Sequence, residues 1–329
     1  MCLALFVMHT SVVIVNYRTA SLTYDCLESL AKHVVGRSDV HVTLVDNLSG
    51  DDSVSQLQSA IDDRGWKSWV TLMPLDRNGG FAFGNNAAIR EVLAADAERK
   101  PDYVWLLNPD TLVREGSLEK LIAYLEANPQ CGLVGSRLED PDGTPQRSAF
   151  RFPSLASEFD DGLRLGLVSK VLSSKTVAPP ISNTAVKTGW VAGASMLVRR
   201  EVFEDVGLLD DEYFMYYEET DFCRQASLVG WYCAYEPASR VVHLVGQASG
   251  VTIRNAVPKR RPQYWFDSRR RYFVKNHGAV YSGLVDVAWA VSYASWCVRS
   301  KLQGKPSYDP PKLLVDFVRN SVWMRGVTT

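Results

Sequence analysis

The sequence predicts an α/β fold, a largely parallel sheet flanked by helices, followed by a smaller helical C-terminal region. Two patterns predict it. In the first half, short β-branched runs alternate with helical stretches, the signature of βαβ units. Near residue 255 the composition turns basic and aromatic and then apolar, which places a soft boundary between residues 1–255 and 256–329.

In chain order, Ser11–Tyr17 (SVVIVNY) is a continuous apolar run, as expected for a strand buried on both faces. A helix is expected over Leu22–His33, a second strand over Val42–Asp46, a helix over Ser53–Asp62 and a third strand over Val70–Met73. The Gly-rich loop Asn78–Asn86 (NGGFAFGNN) then opens a helix running to about Glu98. Tyr103–Leu107 is a fourth strand ending in Asn108-Pro109-Asp110, and a helix covers Ser117–Asn128. Ser136–Pro153 reads as a hairpin around a Pro-Asp-Gly turn, and Leu155–Asn183 as an insertion without clear period. Val191–Val198 reads as a strand, Arg200–Val206 as a short helix closed by Gly207, and Thr220–Val229 as a helix closed by Gly230. Trp231–Tyr235 and Arg240–Val245 read as two short strands.

The bulk numbers exclude some classes. A formal net charge of -1 over 329 residues supplies no field for nucleic acid, so no nucleic-acid partner is expected. The six cysteines (Cys2, Cys26, Cys131, Cys223, Cys233 and Cys297) contain no C-x-x-C pair and read as thiols in a reducing compartment. The opening residues MCLALFVMHT lack a basic flank and a cleavage site, so they are not read as a signal peptide, and the cytoplasm is the expected location.

Open α/β sheets bind ligands at the carboxyl ends of their strands. Four such ends carry polar residues here: Asn16-Tyr17-Arg18, Asp46-Asn47, the loop at Asn78–Asn85, and Asn108-Pro109-Asp110. Each alone fits a turn former; together they fit a nucleotide pocket. The glycine loop is neither G-x-G-x-x-G nor a Walker loop, which argues against a dinucleotide dehydrogenase and a P-loop NTPase. Asp110 is suited to hold a hard divalent ion against phosphate oxygens. The densest polar cluster, Tyr213–Arg224 (YFMYYEETDFCR), puts Glu218, Glu219 and Asp221 at a helix start, where the helix dipole would keep a general base ionised. His243 reads as a core residue unless the fold brings it beside Asp110.

Taken together, VVIVNYR, VTLVDNLSGDDS, NGGFAFGNN, WLLNPDT, the long run from Gly189 to Ala226 and VVHLVG resemble, in order, the family 2 inverting glycosyltransferases of GT-A fold, in particular their rhamnosyltransferase-like branch. The resemblance spans roughly residues 11–250. It implies a donor half (about 1–135) and an acceptor half (about 136–255), with transfer of a sugar from a nucleoside diphosphate sugar to a saccharide or lipid-linked acceptor in cell-surface polysaccharide assembly. Donor contacts are implied for Asn16, Tyr17, Arg18, Asp46, Asn78, Gly80, Asn85, Asn108 and Asp110. Acceptor contacts are implied for Trp190 and Gly193. Asp110 and His243 would ligate Mn²⁺ or Mg²⁺, with Asn108 where the family's D-x-D motif has its first acid. Glu218-Glu219 matches the family's acid pair, whose second member, Glu219 here, is the base. The competing readings are a sugar-phosphate nucleotidyltransferase, whose glycine-bearing loop after the first strand is missing from VNYRTAS, and an inactive saccharide-binding scaffold.

From about Ile253, Arg254, Lys259, Arg260, Arg261, Arg269, Arg270, Arg271 and Lys275 lie among aromatic residues, and Val280–Val298 is mostly apolar but holds Asp286. Two readings stand: docking on an anionic membrane surface, at the inner face of the plasma membrane, or packing of this helix on the catalytic domain.

Overall fold

The computed structural model describes residues 8–96, 100–244 and 258–327. Residues 1–7 with Cys2, the expected helix end at Glu98, Val245, the boundary near residue 255 and Arg254 lie outside the described residues.

The elements follow in chain order as β1 (Thr10–Asn16), α1 (Ala20–Val34), β2 (Val40–Asp46), α2 (Ser53–Asp63), β3 (Val70–Pro74), α3 (Phe81–Leu93), β4 (Tyr103–Leu107), β5 (Thr111–Val113), α4 (Ser117–Ala127), β6 (Cys131–Glu139), β7 (Ala149–Phe150), α5 (Leu155–Leu163), α6 (Gly166–Val171), β8 (Val186–Thr188), β9 (Trp190–Val191), β10 (Ser195–Arg199), α7 (Arg200–Val206), α8 (Glu218–Leu228), β11 (Tyr232–His243), α9 (Gln263–Leu302), α10 (Leu313–Arg319) and α11 (Val322–Arg325). The main sheet runs β3-β2-β1-β4-β10-β6-β11-β5, with β8 added alongside β11. β3, β2, β1 and β4 are parallel; β10 is antiparallel to both β4 and β6.

Alternation along β1 shows how the layers form. Val12 and Ile14 pack with Leu27 of α1 and Leu121 and Leu125 of α4 on one face. Val13 and Val15 pack with Ala88 and Ile89 of α3 and with Val202, Phe203 and Phe222 of α7 and α8 on the other. Successive side chains point to opposite faces, so a strand covered on both sides must be apolar throughout, as SVVIV is.

Several expectations are corrected. The glycine loop is mostly helix: α3 begins at Phe81, inside NGGFAFGNN, and ends at Leu93. The Pro-Asp-Gly turn forms, with the Gly143 N–H donating to the Asp140 carbonyl. Its returning arm makes only a bridge at Glu139–Pro145, however, and β7 pairs with β9 instead of with β6. The first part of the insertion is helical, α5 and α6, and α5 packs along α9, while residues 172–183 form turns and irregular backbone. The strand expected over Val191–Val198 is broken at residues 192–194 into β9 and β10. The two strands expected after Trp231 are one, β11, with a bulge between Glu236 and Arg240.

The C-terminal basic run folds inward. Arg269, almost fully buried, binds Glu158 of α5 and Asp286 of α9. Arg271 and Lys275 bind Asp210, Arg260 binds Asp316, and Arg270 binds Asp267. The basic cluster expected to face lipid is therefore largely matched to carboxylates of its own chain, and the helix packs on the catalytic domain. Gly278, at φ 79°, interrupts α9. Among the described residues no helix is long and apolar enough to cross a membrane. Cys26, Cys131, Cys223 and Cys233 are buried free thiols, and Cys297 is a half-buried one.

Candidate active site

The carboxyl ends of the parallel strands open into a cleft of about 580 Å³ lined by residues from β1, the α3 loop, the β4 end, the 192–194 turn, the segment before α8, β11 and α9. The four expected strand ends and the acid cluster each contribute to it, although 133 positions separate Asp110 from His243, which lies in β11, the antiparallel partner of β5.

That pairing decides the position of His243. It sits opposite Thr111, with the Leu244 N–H donating to the Asp110 carbonyl, so its Nε2 lies 3.5 Å from Asp110 Oδ1. The Gln146 amide holds the His243 carbonyl. Asn108 also lines the cleft, and its Oδ1 is buried without a hydrogen-bond partner. A carboxylate, an imidazole and an unsatisfied amide oxygen form a donor set suited to a hard or borderline divalent cation. Among the described residues no group of three or more His, Cys, Asp or Glu side chains is assembled for a metal, so remaining ligands would have to come from substrate or water.

Glu218 and Glu219 open α8 and face the same cleft, each with Oε2 buried and unpartnered. Their aim comes from the backbone before them: Tyr216 and Tyr217 both adopt φ 72°, a left-handed conformation that costs L-residues roughly 1–2 kcal/mol each. The Tyr217 ring rests on Tyr272, and Ser268 Oγ donates to the Met215 carbonyl, so α9 braces this turn. Burial raises the pKa of both acids, and the charge of Glu219 pushes Glu218 further up, well above the ordinary carboxylate range. Backbone N–H groups of Glu219, Thr220 and Gly193 offset part of the rise for Glu219. Desolvation thus outweighs the helix dipole, contrary to the expectation that the dipole would keep these acids ionised. Glu219 is the member better equipped to carry the charge.

Gly80 is fixed by geometry. At φ 93° it would place a Cβ 2.0 Å from the Phe214 carbonyl oxygen, which accepts a 2.8 Å hydrogen bond from Phe81 N–H. The α3 loop and the acid-bearing segment therefore touch through main chain. Asn78 Oδ1 accepts from Gly80 N–H and from the Asn47 amide, and the Asn47 amide also donates to the Gly80 carbonyl.

Other expected residues stand elsewhere. Asp46 is buried behind the cleft wall, its oxygens taken by Asn16 Nδ2 at 2.7 Å and by Ser49 N–H and Oγ. Asn16 likewise turns to Asp46, Ser49 and Thr23, and both act as braces for the strand ends. Arg18, at φ 57°, donates to the Ser49 carbonyl beside the cleft, while Tyr17 lines it. Asn85 is corrected: it lies inside α3, its amide on the Phe81 carbonyl. Asp221 is corrected: it points away to Lys275 at 2.6 Å and Asn276 at 2.7 Å. Trp190 is corrected: it stacks on Phe150 and donates to the Arg151 carbonyl, away from the cleft, whereas Gly193 lines it beside Glu219. Cleft residues to which the sequence assigned no role are Asn47, Phe214, Tyr216 and Tyr264. Tyr264 comes from α9, packing near Phe214 and Tyr216, so the C-terminal region contributes to the cleft wall.

Residues 11–207 match the model of the glycosyl transferase family 2. The chain belongs to this family. It is 30% identical over 194 residues to the N-acetylglucosaminyl-diphospho-decaprenol L-rhamnosyltransferase of Mycobacterium tuberculosis, covering 55% of this chain and 61% of that protein. It is 32% identical over 165 residues to the rhamnosyltransferase WbbL of Escherichia coli, 50% of this chain and 60% of that one. The chain thus spans about three-fifths of the length of these relatives. In fold it is similar to a mannosyltransferase of Pyrobaculum calidifontis solved with GDP-Man and Mn²⁺, at TM-score 0.53 and 17% identity over 97% of this chain and 84% of that one. It is also similar to Staphylococcus aureus TarS 1-349 with UDP-GlcNAc, at TM-score 0.54 and 14% identity over 95% and 82%. The architecture is GT-A-like, with α9 as a C-terminal extension. Glu218, Glu219 and His243 lie beyond the matched residues, so their placement rests on the geometry above.

Proposed function

We propose that this family 2 glycosyltransferase is an inverting, metal-dependent enzyme that moves a sugar, of the L-rhamnose class, from a nucleoside diphosphate to a saccharide or lipid-linked acceptor. The observation that carries the reading is one cleft lined both by the Asp110–His243 pair at 3.5 Å and by two acids, Glu218 and Glu219, each with a buried Oε2 that has no hydrogen-bond partner. The names of the relatives support the choice of sugar and acceptor class.

In this reading Asp110 and His243, with Asn108 Oδ1, hold a Mn²⁺ or Mg²⁺ ion. When bound, such an ion neutralises charge on the diphosphate leaving group. Glu219 takes the proton of the acceptor hydroxyl as its oxygen attacks the anomeric carbon, and the bond from that carbon to the diphosphate breaks with its electron pair leaving on phosphate oxygen. A single displacement inverts the centre, and one base suffices. Glu218, the member pushed further up, stays protonated and leaves the charge to Glu219. Asn47, Asn78, Gly80 and Tyr17 contact the donor, while Gly193, Phe214, Tyr216 and Tyr264 shape the acceptor side.

The test measures transfer from dTDP- and UDP-sugars with and without EDTA and Mn²⁺, with release of nucleoside diphosphate as readout. Asp110→Asn and His243→Ala should each raise the Mn²⁺ concentration needed for half activity about tenfold or more. Full turnover of a metal-stripped preparation in EDTA would refute the metal; pyrophosphate as product would refute glycosyl transfer.

A further inference from the structure

The second half of α9, after the break at Gly278, carries an unpartnered face. Val280, Leu284, Val287, Val291, Val298 and Leu302 recur at helical spacing, and each is 49–83% exposed. The stripe runs for about 33 Å at 1.5 Å per residue. The opposite face is spent on packing: Trp289 and Tyr293 join the core shared with α10, and Asp286 turns inward to Arg269. Between residues 279 and 298 every exposed position is neutral (Ala279, Val280, Leu284, Val287, Val291, Ser295 and Val298).

A neighbouring element widens this face. Leu167 and Val171 of α6, 78% and 81% exposed, line with Phe159 and Ala288 an open, wholly apolar trough that joins α6 to α9. At the other side Trp323 of α11, 68% exposed, reaches the Gly283 carbonyl with its indole N–H, next to Leu284. A contiguous apolar area of this kind marks a contact surface.

Charge selects the partner. Lys170 lies between Leu167 and Val171, Lys175 follows one turn later, and Lys301 and Lys305 bracket Leu302; all four are exposed and none has a carboxylate partner among the described residues. The bordering acid Asp309 is held by Arg164. Apolar residues rimmed by free lysines, with a tryptophan at the edge, complement the boundary of an anionic bilayer, where acyl chains meet negative headgroups. We propose that the outer face of α9, with α6 and Trp323, lies on an anionic membrane surface. This differs from the lipid contact expected from sequence: the arginines of 260–271 are engaged inside the protein, and the docking elements are the aliphatic stripe and the lysines at its ends.

The test is co-sedimentation of the whole chain with vesicles of phosphatidylcholine containing a quarter phosphatidylglycerol, against pure phosphatidylcholine, without donor or acceptor. The proposal expects binding to the anionic vesicles, lost at least tenfold in Leu284→Glu/Val287→Glu, and weakened several-fold, together with its salt dependence, in Lys170→Glu/Lys305→Glu. These positions are exposed, and unchanged thermal unfolding confirms that each variant is folded. Equal binding by wild type and the Glu pair, or no binding by wild type at low salt, would overturn it. So would a sedimentation-velocity dimer that the Glu pair dissociates in the absence of vesicle binding, which would assign the face to a second copy. Transfer to a soluble acceptor should be unchanged in both variants, so failure here leaves the catalytic reading intact.

Discussion

Gly80→Ala is the most demanding probe of the site, because its added methyl meets main chain on both sides of the argument. The new Cβ would lie 2.0 Å from the Phe214 carbonyl oxygen and 2.6 Å from Phe214 C and Cα. An ordinary carbon–oxygen contact needs well over a further 1 Å, so the segment before α8 must retreat or α3 must tilt. Retreat breaks the 2.8 Å hydrogen bond from Phe81 N–H, worth about 1 kcal/mol. Holding alanine at φ 93° adds about 1–3 kcal/mol. Together the loss is about 2–4 kcal/mol, or some 3–6 °C in Tm at about 2.1 cal/mol/K of unfolding entropy per residue over a chain of this length. Because the displaced segment runs directly into Tyr216, Tyr217 and the two acids, kcat should fall about tenfold or more at permissive temperature, with donor Kd raised as the Asn47 contact to the Gly80 carbonyl shifts. Truncating the Phe214 side chain to Ala in the same background should not rescue, since the clash is with backbone. Differential scanning calorimetry, donor calorimetry and steady-state kinetics read all three. A Gly80→Ala protein that melts and turns over like wild type would refute the geometry, and rescue by Phe214→Ala would show that the ring was the obstacle.

Glu219→Gln should lower kcat by about 10²-fold or more while donor Kd holds, whereas Glu218→Gln should retain most turnover; a reversal of the two in single-turnover assays would reassign the base. The raised pKa of Glu218 means the folded state keeps a proton the unfolded chain gives up, so stability falls as pH rises from the ordinary carboxylate range through the folded value. Glu218→Gln should remove that slope and raise Tm at neutral pH, and parallel Tm–pH curves for the two proteins would refute it. Asp221→Ala should cost about 1–3 kcal/mol by removing the carboxylate shared by Lys275 and Asn276, although Lys275 keeps Asp210 and Asn276 keeps the Tyr272 carbonyl, yet leave kcat nearly unchanged at a temperature where it is folded; a kcat loss without a Tm loss would return Asp221 to the chemistry. Asp46→Ala should weaken donor binding only indirectly, together with a loss of stability from freeing Asn16 and Ser49; calorimetry showing weaker binding at full stability would indicate direct contact with the donor.

What the sequence made legible follows from how local each determinant is. Strands buried on both faces announce themselves as unbroken apolar runs, so β1, β2 and β4 were readable to within a residue or two. β5 was not, because three residues carry no period, and without β5 the meeting of His243 with Asp110 could be stated only as a condition. β11 read as two strands because Pro237 and Ser239 sit in its bulge. Within helices, side-chain direction changes by about 100° per residue: Asp221, two positions past Glu219, faces roughly the opposite way, which a cluster read only by composition conceals. Asn85 fell to the same effect once α3 began at Phe81. The inward role of the arginines in α9 was illegible because their partners, Glu158 and Asp210, lie 111 and 61 positions away.

The twin left-handed tyrosines ahead of α8 carry an evolutionary implication. Tyr216 and Tyr217 hold conformations that glycine or asparagine would adopt more cheaply, so the chain stores strain there and depends on α9 to keep it. A population selected only for heat resistance should therefore accumulate changes such as Tyr216→Gly early, and these would relax the turn that aims Glu218 and Glu219. Selection that also demands sugar transfer would reject them. Under that double demand, durability has to be found at sites remote from the cleft, and the strained turn remains as a standing toll on the fold wherever the activity is kept.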